Sequence, residues 1–422
     1  MFRGLSAVLA AALAALAAGC GGDDGTPAAT DTQRRPPTST SSSTEVTSTL
    51  PPPALTNGAT TVPTGPSIPP PRTAPPTGSE AGPFVVGAVD DAARHRGPML
   101  GQLAAAGFGA LGITSYWEPG LSRPTAEELA VLRDTAARAA ARGLRVFVAV
   151  FHRGSATTPL TPGARGAFAS YVAALVRGVP RIRDVIVGNE PNLNRFWLPQ
   201  FGPDGSNAAA PAYYALLEET FAAVKSADPG VLVWGGALAP RGSDRPQGSR
   251  HTQSPGAFIR GLGEAFRAGG RTRAPLDGFA FHPYPETAAT PPDVPHPNPR
   301  SKTIGLADVD RLQGALRDAF GRELPILYSE LGVETSIPAE KERHYTGEEV
   351  VDAVDEETQA DFYRRALELA SCQAGVVGLL LFHSHDEPAL AGFQSGVYYA
   401  DGTAKSSLPA VREAILAARD GC

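Results

Sequence analysis

Residues 125–151 read TAEELAVLRDTAARAAARGLRVFVAVF, and this stretch decides the fold. Its first part is an Ala- and Leu-rich helical pattern over 125–142. Pro124 and Thr125 open it and Gly143 closes it, as cap chemistry requires. Its last part, Arg145–Phe151, is a nearly continuous apolar run with no polar alternation. Such a run suits a parallel strand buried on both faces. The joint Arg142-Gly143-Leu144 returns the chain from helix to strand with almost no loop.

The same unit recurs on both sides. Strand candidates are Phe84–Val89, Ala110–Ser115, Arg145–Phe151, Asp184–Gly188, Val231–Gly235, Gly278–His282, Pro325–Ser329 and Val377–Phe382. Helical patterns lie near 98–106, 125–142, 161–177, 211–227, 255–268, 306–320, 356–372 and 406–419. Eight β/α cycles over 84–422 predict an α/β fold of the (β/α)8 TIM-barrel type. A doubly wound open sheet is the alternative arrangement of such units. Helix-to-strand joints are short, whereas strand-to-helix loops are long: about 191–210, 236–254, 283–305, 330–355 and 383–405. In a barrel those loops all rise from the C-terminal face of the sheet, where active sites of this fold sit. They carry Phe196, Trp197, Phe201, Tyr345, Phe393, Tyr398 and Tyr399, rings suited to stacking on sugars.

Strand four ends Val185-Ile186-Val187-Gly188-Asn189-Glu190-Pro191-Asn192, and strand seven ends Ile326-Leu327-Tyr328-Ser329-Glu330-Leu331. Each sets a carboxylate at a strand tip behind a hydrophobic run. One strand-end glutamate is ordinarily a salt-bridged surface residue. Two of them on strands that face each other obliquely across a small barrel mouth can converge. Glycoside cleavage needs such a pair, one carboxyl to protonate the leaving oxygen and one to attack or to activate water.

These motifs resemble those of the clan A glycoside hydrolases, the "4/7" superfamily. Asn189-Glu190-Pro191 is similar to that family's acid/base motif, and Glu330 in Tyr-Ser-Glu-Leu-Gly to its nucleophile. Phe281-His282-Pro283-Tyr284-Pro285 resembles the strand-six element whose tyrosine steadies the nucleophile. Gly235-Gly236-Ala237 resembles a strand-five signature of β-xylosidase-like members, within a cellulase-like group. The resemblance implies a retaining β-glycosidase acting on an oligo- or polysaccharide, with Asn189 on the sugar 2-hydroxyl and no cofactor. A double displacement asks that Glu330 be held ionised by hydrogen bonds and that Glu190 be kept protonated by burial and by the charge on Glu330. The family's strand-eight tryptophan is replaced by Phe382-His383-Ser384-His385-Asp386, and Arg94 is the candidate for its arginine near the nucleophile.

Further substrate contacts are expected from His282, Tyr284, His152, Trp117, Trp197 and His383, all near strand tips or in the long loops. His385 and Asp386 are candidates for sugar hydroxyls too. No third or fourth convergent ligand accompanies them, so no metal is expected. Glu118, beside Pro119, reads as rim. A non-catalytic glycan-binding barrel is the rival reading, since a fold does not fix an activity.

Composition frames the partners. Lys and Arg number 37 against 43 Asp and Glu, a formal charge of −6, which argues against nucleic acid. Three cysteines, Cys20, Cys372 and Cys422, exclude a disulfide scaffold. Residues 1–19 read as a signal peptide: Arg3, then sixteen uncharged residues ending in Ala17-Ala18-Gly19. Cys20 follows in a context that resembles a bacterial lipobox. Residues 20–83 read as a disordered tether, since 26–80 contain 13 Pro and 21 Ser or Thr and cannot form a core. The expected product is a monomeric domain of residues 84–422, extracytoplasmic and tied to the bacterial cell membrane by lipid on Cys20. Its partners are a carbohydrate and, through the anchor alone, the membrane. Export permits a Cys372–Cys422 disulfide pinning the last helix.

Overall fold

The computed structural model describes residues 84–298 and 300–422. The signal segment, Cys20 and the tether over 20–83 lie outside the described residues. Eight parallel strands close into a barrel in chain order. They are β1 (Val85–Val89), β2 (Ala110–Trp117), β3 (Arg145–His152), β4 (Asp184–Val187), β5 (Leu232–Leu238), β6 (Gly278–Phe281), β7 (Ile326–Leu331) and β8 (Val376–Phe382). Between and after them run α1 (Gly97–Ala105), α2 (Ala126–Ala140), α3 (Pro162–Gly178), α4 (Ala209–Ala227), α5 (Pro255–Ala268), α6 (Val309–Phe320), α7 (Glu356–Cys372) and α8 (Leu408–Arg419). This is a (β/α)8 TIM barrel, not an open sheet: β8 pairs with β1 from Val85↔Gly378 to Val89↔Phe382.

Local chemistry sets the helix starts. The Thr125 hydroxyl accepts from the Glu128 amide at 3.1 Å, and Glu127 and Glu128 sit in the first turn of α2, where negative charge complements the helix dipole. Thr161 and Ser254 cap α3 and α5 in the same way, each ahead of a proline. Gly143 has φ +72°, a left-handed turn that glycine makes at little cost.

Two apolar layers follow from strand alternation. Ala110, Phe147, Ile186, Trp234, Ala280, Leu327 and Leu380 point inward from β2 to β8 and fill the barrel. Leu111, Ile113, Val146, Val148, Val185, Val233 and Phe279 point outward and meet the helices. The floor is closed by polar groups. Arg145 donates to both oxygens of fully buried Asp184, each at 2.6 Å, and Trp234 Nε1 donates to Asp184 Oδ1 at 2.9 Å.

A disulfide joins Cys372 at the end of α7 to Cys422, 50 residues on. A closed loop of this size contributes roughly 3–4 kcal/mol through the unfolded chain. Among the described residues no helix is long and apolar enough to cross a membrane.

Candidate active site

Glu190 stands just past β4, on a turn that local packing holds in place. Gly188 takes φ +88°, and a Cβ there would lie 2.8 Å from the Tyr213 ring. Tyr213 donates to the Val187 carbonyl at 2.6 Å and accepts the Gly236 amide at 2.8 Å, tying the tips of β4 and β5. Glu190 itself has φ +41°, a conformation that costs a residue with a side chain roughly 1 kcal/mol or more. Its amide donates to Ala237 O at 2.8 Å. Buried Asn192 completes the clamp, bonding Ala239 through both its oxygen and its nitrogen, and Gln253 O as well.

Glu330 reaches the mouth by a different device. Along β7, Tyr328 pairs with Leu379 and Leu331 with Leu381, so three steps on one strand oppose two on the other. Tyr328 and Leu331 both pack in the outer layer. The extra residue between them is a β-bulge, which re-aims side chains and frees Glu330 from the outward parity of Ile326 and Tyr328.

His282, just past β6, links the two carboxylates. Its Nδ1 is 3.1 Å from Glu190 Oε1 and 3.5 Å from Glu330 Oε2. Those distances cap the separation of the two oxygens at about 6.6 Å, the low end of an inverting spacing and compatible with a retaining one. Tyr284 donates a long hydrogen bond to Glu330 Oε2 at 3.4 Å. Burial pulls the His282 imidazole down, but Glu330 and Glu190 outweigh it and the net direction is up. Burial, then the charges of Glu330 and Glu190, hold the Tyr284 hydroxyl well above its usual range, so it remains a donor.

Burial also pushes Glu330 up, more than His282, His383 and Tyr284 pull it down. The hydrogen bond from Tyr284 and the neighbouring imidazoles pull the other way, and Glu190 adds to the rise. The second oxygen of Glu190 is buried and has no hydrogen-bond partner.

Asn189 is half-buried beside Glu190. His383, directly after β8, bonds Val89 O through Nδ1 at 2.7 Å, and its Nε2 is buried without a partner. The Phe382–His383 peptide is cis.

Other expected contacts lie elsewhere. Trp117 is 1% exposed, donates to Leu121 O at 2.7 Å and packs edge-on against Phe168. It shares strand parity with Leu111 and Ile113, so it faces the helices, not the mouth. Tyr116 holds the inward position, its ring edge-on to Phe151 and covered by Arg153 at 4.0 Å. Trp197 is also 1% exposed, wedged between His152 and Tyr213. His152 bonds Gly154 O through Nδ1; with Trp197 it braces the loop that carries Glu190.

Arg94 is committed to Thr114 O and Glu128. His385 stacks on Tyr398 and bonds Gln102, while Asp386 pairs with Lys405, both side chains fully buried. Tyr345 donates to Asp386 at 2.7 Å. These groups knit the loops after β7 and β8 together. Glu118 is an exposed rim partner of Arg153.

Sequence reading did not reach Tyr116, the Lys405–Asp386 pair, or Arg195. Arg195 is half-buried over Phe196, with burial lowering its guanidinium and Glu190 raising it. Strand parity alone would have exchanged Trp117 for Tyr116. Among the described residues no group of three or more His, Cys, Asp or Glu is placed to hold a metal.

No family model matches the sequence, and no curated protein matches it. Solved structures do. A GH5_18 from Streptomyces cattleya, in complex with GlcNAc, is 19% identical with TM-score 0.54, the match covering 81% of each chain. A glucosidase from Croceicoccus marinus is 14% identical with TM-score 0.54, covering 81% of this chain and 68% of that one. A GH5_18 from Bifidobacterium longum subsp. infantis is 17% identical with TM-score 0.52, covering 80% and 79%. The likeness is one of fold.

Proposed function

We propose that residues 84–422 hydrolyse β-glycosidic bonds with retention of anomeric configuration. The observation that carries this reading is the convergence of Glu190 and Glu330 on His282 at two strand tips, with the second oxygen of Glu190 buried and unpartnered. A buried polar atom with no partner costs about 1–3 kcal/mol; a glycosidic oxygen lying there would supply the partner. Glu330 attacks the anomeric carbon as the carbon–oxygen bond breaks, and Glu190 gives its proton to the departing oxygen. Water then loses a proton to Glu190, its oxygen bonds the anomeric carbon, and Glu330 leaves. The raised affinity of Glu330 for protons means that the nucleophile ionises late, so rate rises with pH until Glu330 is ionised.

The structural neighbours bear on substrate class. One was solved with GlcNAc and another, from Streptomyces cattleya, in complex with Manb1-4GlcNAc. They support an oligosaccharide as the molecule to be cut. The N-terminal sequence supports export and lipid anchoring at Cys20, which holds a monomeric catalytic domain outside the membrane. Cys20→Ala is expected to release the chain from the membrane fraction.

The test of the activity is a panel of 4-nitrophenyl β-glycosides and β-linked oligosaccharides, with the first-formed anomer read by proton NMR. Retained configuration is expected. Inverted product overturns the double displacement, and binding without turnover returns the domain to a glycan-binding role.

A further inference from the structure

The loop after β8 contains a second buried atom that lacks a partner. His383 Nδ1 lies 2.7 Å from the Val89 carbonyl oxygen, which can only accept, so Nδ1 carries the proton. In the neutral ring Nε2 is then a bare lone pair. That lone pair is buried and unpartnered.

The ring is not free to turn away. The backbone amide of His383 donates to Ser395 Oγ at 3.0 Å, the Phe382 ring lies 3.8 Å from the imidazole centre, and Phe393 stands edge-on at 6.3 Å. β7 and β8 pair up to Leu331↔Leu381, which sets His383 one strand over from Glu330. Ser329 Oγ, one residue before Glu330, is also buried without a partner, so no hydrogen bond from it satisfies His383. Among the described residues none donates to Nε2, and a donor on a bound ligand would.

We propose that His383 Nε2 accepts a hydrogen bond from one donor group, a hydroxyl or amide N–H, on the sugar ring seated against Glu330. His383 thereby becomes a specificity-determining contact that rejects sugars lacking a donor at that ring position. The inference rests on the glycosidase reading above. It adds a direction to it: the contact needs a donor on the sugar, and an acceptor of the same size does not serve.

Fluorine in place of a hydroxyl keeps the size and loses the donor. The experiment measures kcat/KM for a 4-nitrophenyl β-glycoside that the protein hydrolyses, and for its mono-deoxyfluoro analogues at each ring position. Both are run on the parent and on His383→Phe. Comparing the fluoro-to-hydroxyl ratio in parent and variant cancels fluorine's inductive effect on the chemistry. At one position the parent is expected to disfavour fluorine about tenfold or more beyond what His383→Phe does, the loss of one buried hydrogen bond. His383→Gln, which keeps an acceptor, should restore part of that discrimination. Ratios equal in parent and His383→Phe at every position overturn the inference while leaving the glycosidase intact. No turnover of any glycoside by the parent overturns the glycosidase reading and this inference with it.

Nitrogen-15 NMR covers the case of a variant that does not fold. In the unmutated protein the Nε2 resonance of His383 reports whether that nitrogen is a free acceptor. In Glu330→Gln loaded with the same glycoside, its resonance should move. A protonated Nε2 before loading, or no movement after it, overturns the proposal.

Discussion

At the floor of the barrel Asp184 gives one oxygen to Arg145 and the other to both Arg145 and Trp234. At the mouth Glu190 gives one oxygen to His282 and the other to nothing, and His383 is left with a bare nitrogen. Both regions bury polar groups inside the same eight strands. The floor meets its hydrogen-bonding demand within the chain, whereas the mouth leaves it to be met by something that binds. A complete buried network holds structure, and an unpaired atom at the mouth is one that a ligand group could pair.

Substitutions at the two ends should therefore fail in opposite ways. Glu190→Ala is expected to cut turnover of poor leaving groups by roughly 10²–10⁴. It should spare the first step for dinitrophenyl glycosides, which need little protonation. Azide should rescue it by replacing the water that Glu190 activates, yielding a β-glycosyl azide. Steady-state kinetics with a leaving-group series checks this, and thermal unfolding of the same variant should change little.

Asp184→Ala should do the reverse. It strands Arg145 and the Trp234 indole, and breaking a buried pair of this kind costs about 2–4 kcal/mol once the partial exposure of Arg145 is allowed for. Chemical denaturation should show the loss, while kcat of the folded fraction stays near the parent value. A floor variant that loses kcat without losing stability would erase the contrast.

The contrast follows from what the sequence displays. Strands and helices were legible because the strands are apolar on both faces and their caps are explicit, as at Thr125 and Gly143. Glu190 and Glu330 were legible as carboxylates behind hydrophobic runs. Their approach was less so, since it depends on a left-handed residue after β4 and a bulge in β7, neither of which has a distinct spelling. Trp117 is an aromatic at a strand tip by residue type, but strand parity turns it toward the helices. Trp197 looked like a loop ring and is a buried wedge. Burial of Glu330 is a property of the assembled mouth and has no spelling in the motif.

A smaller effect tests the loop above the mouth. Glu334 accepts the Gln394 amide at 2.6 Å, and burial pushes its carboxyl up to about 8, with Asp386 and Glu349 adding to the rise. The folded chain then holds a proton that the unfolded chain releases near pH 4.5. Stability from this group is full below that value and declines as pH rises toward about 8. Glu334→Gln should remove the slope and leave the variant more stable than the parent by up to roughly 5 kcal/mol at pH 9. Denaturation midpoints across pH 5–9 measure it, and parallel curves for parent and variant would place the titration elsewhere.

In the proposed double displacement Glu330 forms a bond to the sugar while Glu190 handles the proton. A 2-deoxy-2-fluoroglycosyl fluoride slows both steps but leaves a good leaving group, so the glycosyl-enzyme accumulates. Incubation with the gluco- and manno-configured reagents, followed by peptide mass spectrometry, reads the attachment site directly. Time-dependent inactivation with one sugar on Glu330, and reactivation on slow hydrolysis, is expected. A label on another residue, or steady hydrolysis of a glycoside by a protein that these reagents never label, would contradict it.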